Sequence, residues 1–135
     1  MRLLPTLAVC ASLAACDSAP AEPDIDLTNP LGWTATSGTD AEYASVTFGP
    51  DGTFAARPVC NSYGGTYEAE GDRIKIEVEG GTRINCGGFG NRAENDFVAA
   101  LERVSRFEID GRLLLLDGGA LRFEAEPRFR SLVAP

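Results

Sequence analysis

At 135 residues the chain suits one domain with a core of its own. Its formal charge of −8, from 12 basic against 20 acidic residues, argues against nucleic acid as a partner, because an acidic surface repels phosphate backbones. It contains no histidine, so the commonest general base, the commonest metal ligand and the usual physiological pH switch are all missing.

The N-terminal stretch, residues 1–15, reads as an address. Met1-Arg2 gives a short positive region, and Leu3 to Ala15 is small and apolar but too short to span a bilayer. It ends in Leu13-Ala14-Ala15-Cys16, which resembles a bacterial lipobox, so Cys16 is expected to carry lipid as the first mature residue. The alternative is an ordinary secretory signal with Cys16 as a spare thiol; Cys10 lies inside the leader either way. Asp17 resembles an inner-membrane retention signal, which leaves the choice between inner and outer membrane open. Residues 16–30 are rich in Pro, Ala and acid and read as a solvated linker. Asp24 and Asp26 lack the glycine and terminal glutamate that a calcium loop requires.

The folded domain is expected over residues 31–126, with 127–135 as a tail. Trp33 opens a short strand as a core residue, and a polar loop follows over Thr36 to Glu42. Val46 and Phe48 share a face of the next strand, Gly49-Pro50-Asp51-Gly52 turns, and Thr53 to Ala56 returns. Gly64-Gly65 reads as a turn into Thr66 to Glu70. After Gly71, Ile74, Ile76 and Val78 take one face of a strand while Lys75, Glu77 and Glu79 take the wet one.

Asn91, with Glu94 three residues on, looks like a capping box opening a helix from about Arg92 to Ser105. Phe97, Leu101 and Val104 give that helix one apolar stripe. Three strands close the domain: Phe107 to Ile109, Leu113 to Leu116 and Leu121 to Ala125, joined at Asp110-Gly111 and Asp117-Gly118-Gly119. The predicted class is α+β but mostly β, a curved antiparallel sheet or partly open barrel of about eight short strands with one helix packed across it.

Cys60 and Cys86 are the only cysteines beyond the leader. With neither a second pair nor a histidine they do not make a zinc site, and no CxxC is present. In an exported chain they read as one disulfide, the alternative being two buried thiols. Ser and Thr have no histidine to activate them, and the sole lysine, Lys75, sits beside Glu77. Glu77 and Glu79 share a strand face and are the remaining enzymatic option, a carboxylate-dependent hydrolase. Solvent-facing side chains are the commoner reading of that pattern. No phosphate or dinucleotide loop appears, and no cofactor is expected.

Cys60-Asn61-Ser62-Tyr63, then Thr82-Arg83-Ile84-Asn85-Cys86, then Glu94, Phe97 and Leu101 resemble the pattern of the META domain family, the HslJ-like heat-shock lipoproteins. The resemblance covers about Leu31 to Glu124 and departs at Val59, where family members commonly carry glycine. It implies a non-enzymatic, monomeric envelope lipoprotein facing the periplasm, concerned with envelope maintenance or stress tolerance and binding a protein or an apolar ligand. One version is a pilotin-like carrier of lipid or peptide in an apolar cavity, with Phe89, Phe97, Leu101, Phe107 and Leu114 as candidate lining. Another is a hydrolase inhibitor acting through the loop from Asp40 to Tyr43.

Overall fold

The computed structural model describes residues 25–126, so Cys16, the leader and the tail after Glu126 lie outside the described residues. Eight strands and one principal helix follow in order: β1 (Trp33–Ser37), β2 (Ser45–Phe48), β3 (Thr53–Arg57), β4 (Tyr63–Glu70), β5 (Arg73–Gly81), α1 (Gly87–Arg103), β6 (Phe107–Asp110), β7 (Leu113–Leu116) and β8 (Leu121–Ala125). They form one antiparallel sheet in the order β5-β4-β3-β2-β1-β8-β7-β6.

The sheet curls into a half-barrel, and its two edge strands meet at one end. There the Ile74 N–H donates to the Ser105 carbonyl at 3.1 Å and the Phe107 N–H to the Asp72 carbonyl at 2.9 Å, with a bridge between Arg73 and Arg106. The Arg106 guanidinium also pairs with Asp72 at 2.9 Å, an exposed contact worth little by itself.

Strand alternation sets the inner face. Val46, Phe48, Phe54, Ala56, Ile74, Ile76, Leu114, Leu116, Leu121 and Phe123 are all buried, while their neighbours in sequence turn outward. The helix lays Ala93, Phe97 and Leu101 onto that face, and Phe97 meets Phe123 edge-on at 6.2 Å. Burying two such side chains contributes about 1.5–3 kcal/mol each. Trp33 is fully buried, and its indole N–H donates to the Leu27 carbonyl at 3.0 Å. That bond draws the preceding segment into the fold. Leu27 is 7% exposed and Ile25 packs against the core, so the domain begins earlier than the linker-like composition of residues 16–30 suggests.

Two further boundaries differ from the sequence expectation. Gly64 and Gly65 do not form a turn but belong to β4, where the register shifts between them. A Cβ on Gly65 would lie 1.9 Å from the Glu77 carbonyl oxygen, so glycine serves the close approach of two strands. The helix starts at Gly87 rather than Arg92, and Asn91 and Glu94 form no capping box. Asn91 instead reaches back from within the helix, accepting the Cys86 N–H at 2.9 Å and donating to the Asn85 side chain at 2.9 Å.

Candidate functional site

The residues of the Cys-Asn-x-Tyr, Thr-Arg-x-x-Cys and helical Glu motifs come from three separate stretches of chain and converge at one place. Cys60 and Cys86 are bonded to each other, with Cα atoms 5.8 Å apart, which ties the β3–β4 loop to the start of α1. Asn61, 5% exposed, is the hub. Its amide donates to the Ile84 carbonyl at 2.9 Å and to Glu94 at 2.6 Å, while its oxygen accepts from the Thr82 hydroxyl at 2.8 Å and the Ile84 N–H at 2.6 Å. Both donors and both acceptor positions of that side chain are therefore used.

Glu94, 2% exposed, projects from α1 into the same cluster. One carboxylate oxygen accepts the Asn61 amide and the Tyr63 hydroxyl, at 2.6 and 2.7 Å; the other accepts the backbone N–H groups of Cys60 and Asn61, at 3.3 and 3.4 Å. Burial pushes this carboxyl up, but the hydrogen bonds from Tyr63, Asn61 and the two backbone amides outweigh it and hold the group below its ordinary value. Burial, together with the Glu94 hydrogen bond and charge, raises the Tyr63 phenol, which keeps it protonated as a donor; Arg83 opposes this. Glu94 is thus an ionised acceptor with four donors around it, a poor proton shuttle and a good clamp between α1 and the β3–β4 loop.

Cys60, Cys86 and Glu94 bring three potential metal-ligating atoms within 4.8 Å of one another. Both sulfurs are joined in the disulfide, which removes the thiolates a metal would need.

Above the clamp opens a groove of about 710 Å³. One wall is the last part of β5 and the chain beyond it, Val78 to Asn85; the other is the exposed face of α1 at Asn91 and Asn95, with Asn61, Tyr63 and Glu94 at the base. The Asn91 and Asn95 side chains lie one helical turn apart, so they present two amides along the same side. Arg83 enters from the loop, and Ile84 stands 59% exposed beside it.

The other candidates from the sequence fall elsewhere. Phe97, Leu101 and Leu114 are buried in the one core cluster, and Phe107 is half-buried against it. Phe89 is 69% exposed on the first turn of α1, so the five apolar side chains do not converge. The apolar stripe of α1 begins at Ala93, four residues past Phe89, which is why the proposed set splits. Glu77 pairs with Lys75 at 3.1 Å in solvent, and of the two strand-face carboxylates Glu79 alone lines the groove. In the Asp40–Tyr43 loop Ala41 is buried in the core while Asp40, Glu42 and Tyr43 face solvent, Tyr43 83% exposed at a φ of 61°. Sequence reading missed the convergence of Thr82, Tyr63 and Glu94 on Asn61; the shared spacing pattern was the signal, since nothing local to any one of them requires the others.

No curated protein matches the chain. The solved structures it resembles include the crystal structure of a DUF4847 family protein from Bacteroides vulgatus, 22% identical with a TM-score of 0.48 over 76% of this chain. The chain spans 64% of that protein's length. They also include the NMR structure of a protein from Burkholderia xenovorans, 21% identical with a TM-score of 0.58 over 82% of this chain and 100% of that one, a likeness of fold. The META domain matches residues 28–127, from the segment that Trp33 draws in to the end of β8 and including every residue of the clamp and groove, and the chain belongs to the META domain family.

Proposed function

We propose that this META domain is a non-enzymatic binding module of the bacterial envelope, lipid-anchored at Cys16, which takes a segment of a partner protein into the groove beside its disulfide. The observation that carries the reading is the saturated Glu94 clamp at the base of the groove. It fixes both walls in place while leaving its one buried carboxylate without a free position for acid or base work, which suits a preorganised receptor better than a catalyst. The absence of histidine from the sequence supports the same side. The anchor is supported by the Leu13-Ala14-Ala15-Cys16 ending of the leader, and a role in envelope maintenance or stress tolerance follows from family resemblance.

A photo-crosslinking side chain at Asn95, in the groove, should give a discrete adduct with an envelope protein in cells. The same group at Glu108, exposed on β6, should not. Equal labelling from both positions, or none from Asn95, overturns the binding reading. Intact-mass analysis of the membrane fraction should show an acylated chain beginning at Cys16, and a soluble product with another start overturns the anchor.

A further inference from the structure

The clamp and the disulfide are in direct contact. Glu94 Oε2 lies 3.4 Å from Cys86 Sγ, and the same oxygen accepts the Cys60 N–H at 3.3 Å. The two sulfurs differ in access. Cys60 is exposed, whereas Cys86 is half-buried with α1 packed closely on it, so that a Cβ on Gly90 would stand 2.9 Å from Cys86 Cβ. A thiol arriving from solvent therefore meets Cys60 Sγ first.

Thiol–disulfide exchange then fixes where charge goes. A thiolate attacking Cys60 Sγ forms a bond to it and breaks the bond between the two cysteine sulfurs, and the electron pair leaves on Cys86 Sγ. A second thiol displaces the first from Cys60, so two small thiols are oxidised to one disulfide as the cysteine pair is reduced. The surroundings of Cys86 Sγ oppose the first step. Despite burial, the four donors around Glu94 hold its carboxyl below the ordinary value, so it stands ionised beside the sulfur, and the Ile84 carbonyl oxygen adds negative polarity at 3.6 Å. The Asn61 amide nitrogen lies 3.5 Å away, but its two hydrogens already serve the Ile84 carbonyl and Glu94. Among the described residues no lysine or arginine pairs with Glu94 to cancel its charge. A like charge so close raises the pKa of the leaving thiol, and a leaving thiol of higher pKa departs more slowly.

We propose that Glu94 guards the Cys60–Cys86 disulfide: Cys60 is the site of attack by small thiols, and the carboxylate beside Cys86 keeps that attack slow, so the tie between the β3–β4 loop and α1 persists although one of its sulfurs faces solvent. Glu94 acts through the Cys86 sulfur and touches no incoming thiol itself. This goes beyond the binding reading and holds whether or not the groove is occupied.

The probe is 2-mercaptoethanol, small and neutral, added to the folded full-length chain at pH 7, quenched in acid and mapped by mass spectrometry. Early adducts should sit on Cys60 with Cys86 free. Glu94→Gln, which removes the charge and keeps the size, should open the disulfide at least about ten-fold faster. Because that variant also loosens the clamp, Tyr63→Phe is its control: it removes one donor to Glu94 but keeps the charge, and should open the disulfide no more than about twice as fast as wild type. In the reduced wild-type chain, alkylation followed against pH should place the Cys86 thiol above the Cys60 thiol, an order that Glu94→Gln should remove. The adduct position and the thiol order are read on wild type, so they decide the matter even if Glu94→Gln does not fold. Early adducts on Cys86, a Glu94→Gln rate less than about three-fold above wild type, a Tyr63→Phe rate equal to that of Glu94→Gln, or a Cys86 thiol titrating at or below Cys60 would each overturn the guard.

Discussion

Replacing Glu94 tests the central clamp most directly. In Glu94→Ala the Asn61 amide loses a 2.6 Å charge-assisted bond and the Asn61 N–H its 3.4 Å contact, both within a side chain and backbone that are 5% exposed. Each buried donor left without a partner costs about 1–3 kcal/mol. The Tyr63 hydroxyl, half-buried at the groove, can turn to water and adds less. The sum is about 4 kcal/mol for Glu94→Ala. Glu94→Gln keeps one acceptor oxygen but sets an NH₂ against two donors, for about half that loss. Because Trp33 is the only tryptophan and is fully buried, urea unfolding followed by its fluorescence reports the core directly. The pH dependence carries a sign. The folded Glu94 carboxyl titrates below the ordinary 4.5, so its contribution is complete above the unfolded value and is lost as pH falls through the folded one. The gap between wild type and Glu94→Gln should therefore be widest at neutral pH and shrink below about pH 4. If both variants unfold within about 0.5 kcal/mol of wild type at pH 7, or if the gap does not change in acid, the carboxylate does not clamp α1 to the β3–β4 loop.

Removing the disulfide with Cys60→Ser and Cys86→Ser, which opens a link between residues 26 apart, should lower stability by about 3.5 kcal/mol, and reductant should lower wild type similarly while leaving the double variant unmoved. Phe97→Ala should cost about 3–5 kcal/mol, whereas Phe89→Ala should change stability by less than about 0.5 kcal/mol; parallel urea curves separate a core residue from a surface one. Gly65→Ala should fail to fold or lose several kcal/mol, because its Cβ collides with the Glu77 carbonyl. Gly88→Ala, where a Cβ meets nothing on the first turn of α1, should gain up to about 1 kcal/mol, read as a shift in thermal midpoint.

Much of the sheet was legible because its inner face repeats every second residue: Ile74, Ile76 and Val78, or Leu114 and Leu116, can be read without knowing their partners. The misreadings arose where a local rule had a distant competitor. Asn91 and Glu94 stand at capping-box spacing, but Glu94 finds four donors thirty or so residues back in the chain, and Asn91 is drawn to Cys86 by the bond that fixes the helix start. Gly64-Gly65 has turn composition, yet what selects glycine at Gly65 is the Glu77 carbonyl on the neighbouring strand. The two cysteines and the Asn-x-Tyr motif marked the site, while the groove itself was invisible. It is made of the end of β5, the loop beyond it and the exposed face of α1, which come together only in the fold and leave no pattern in one sequence.

The strand order has a mechanical consequence. β1 and β8, the first and last strands, are neighbours in the middle of the sheet: Trp33 pairs with Ala125, and the Glu126 N–H reaches the Gly32 carbonyl at 3.0 Å. The sheet therefore begins and ends side by side, with β1 four places and β8 five places from β5 in the sheet order. A pull applied between Gly32 and Glu126 would part β1 from β8 one hydrogen bond at a time, like a zip, rather than sliding them past each other. A leash attached at the entry point alone loads neither this seam nor the groove, so the domain can be moored by one end while the far rim of the sheet stays free to swing toward whatever it meets.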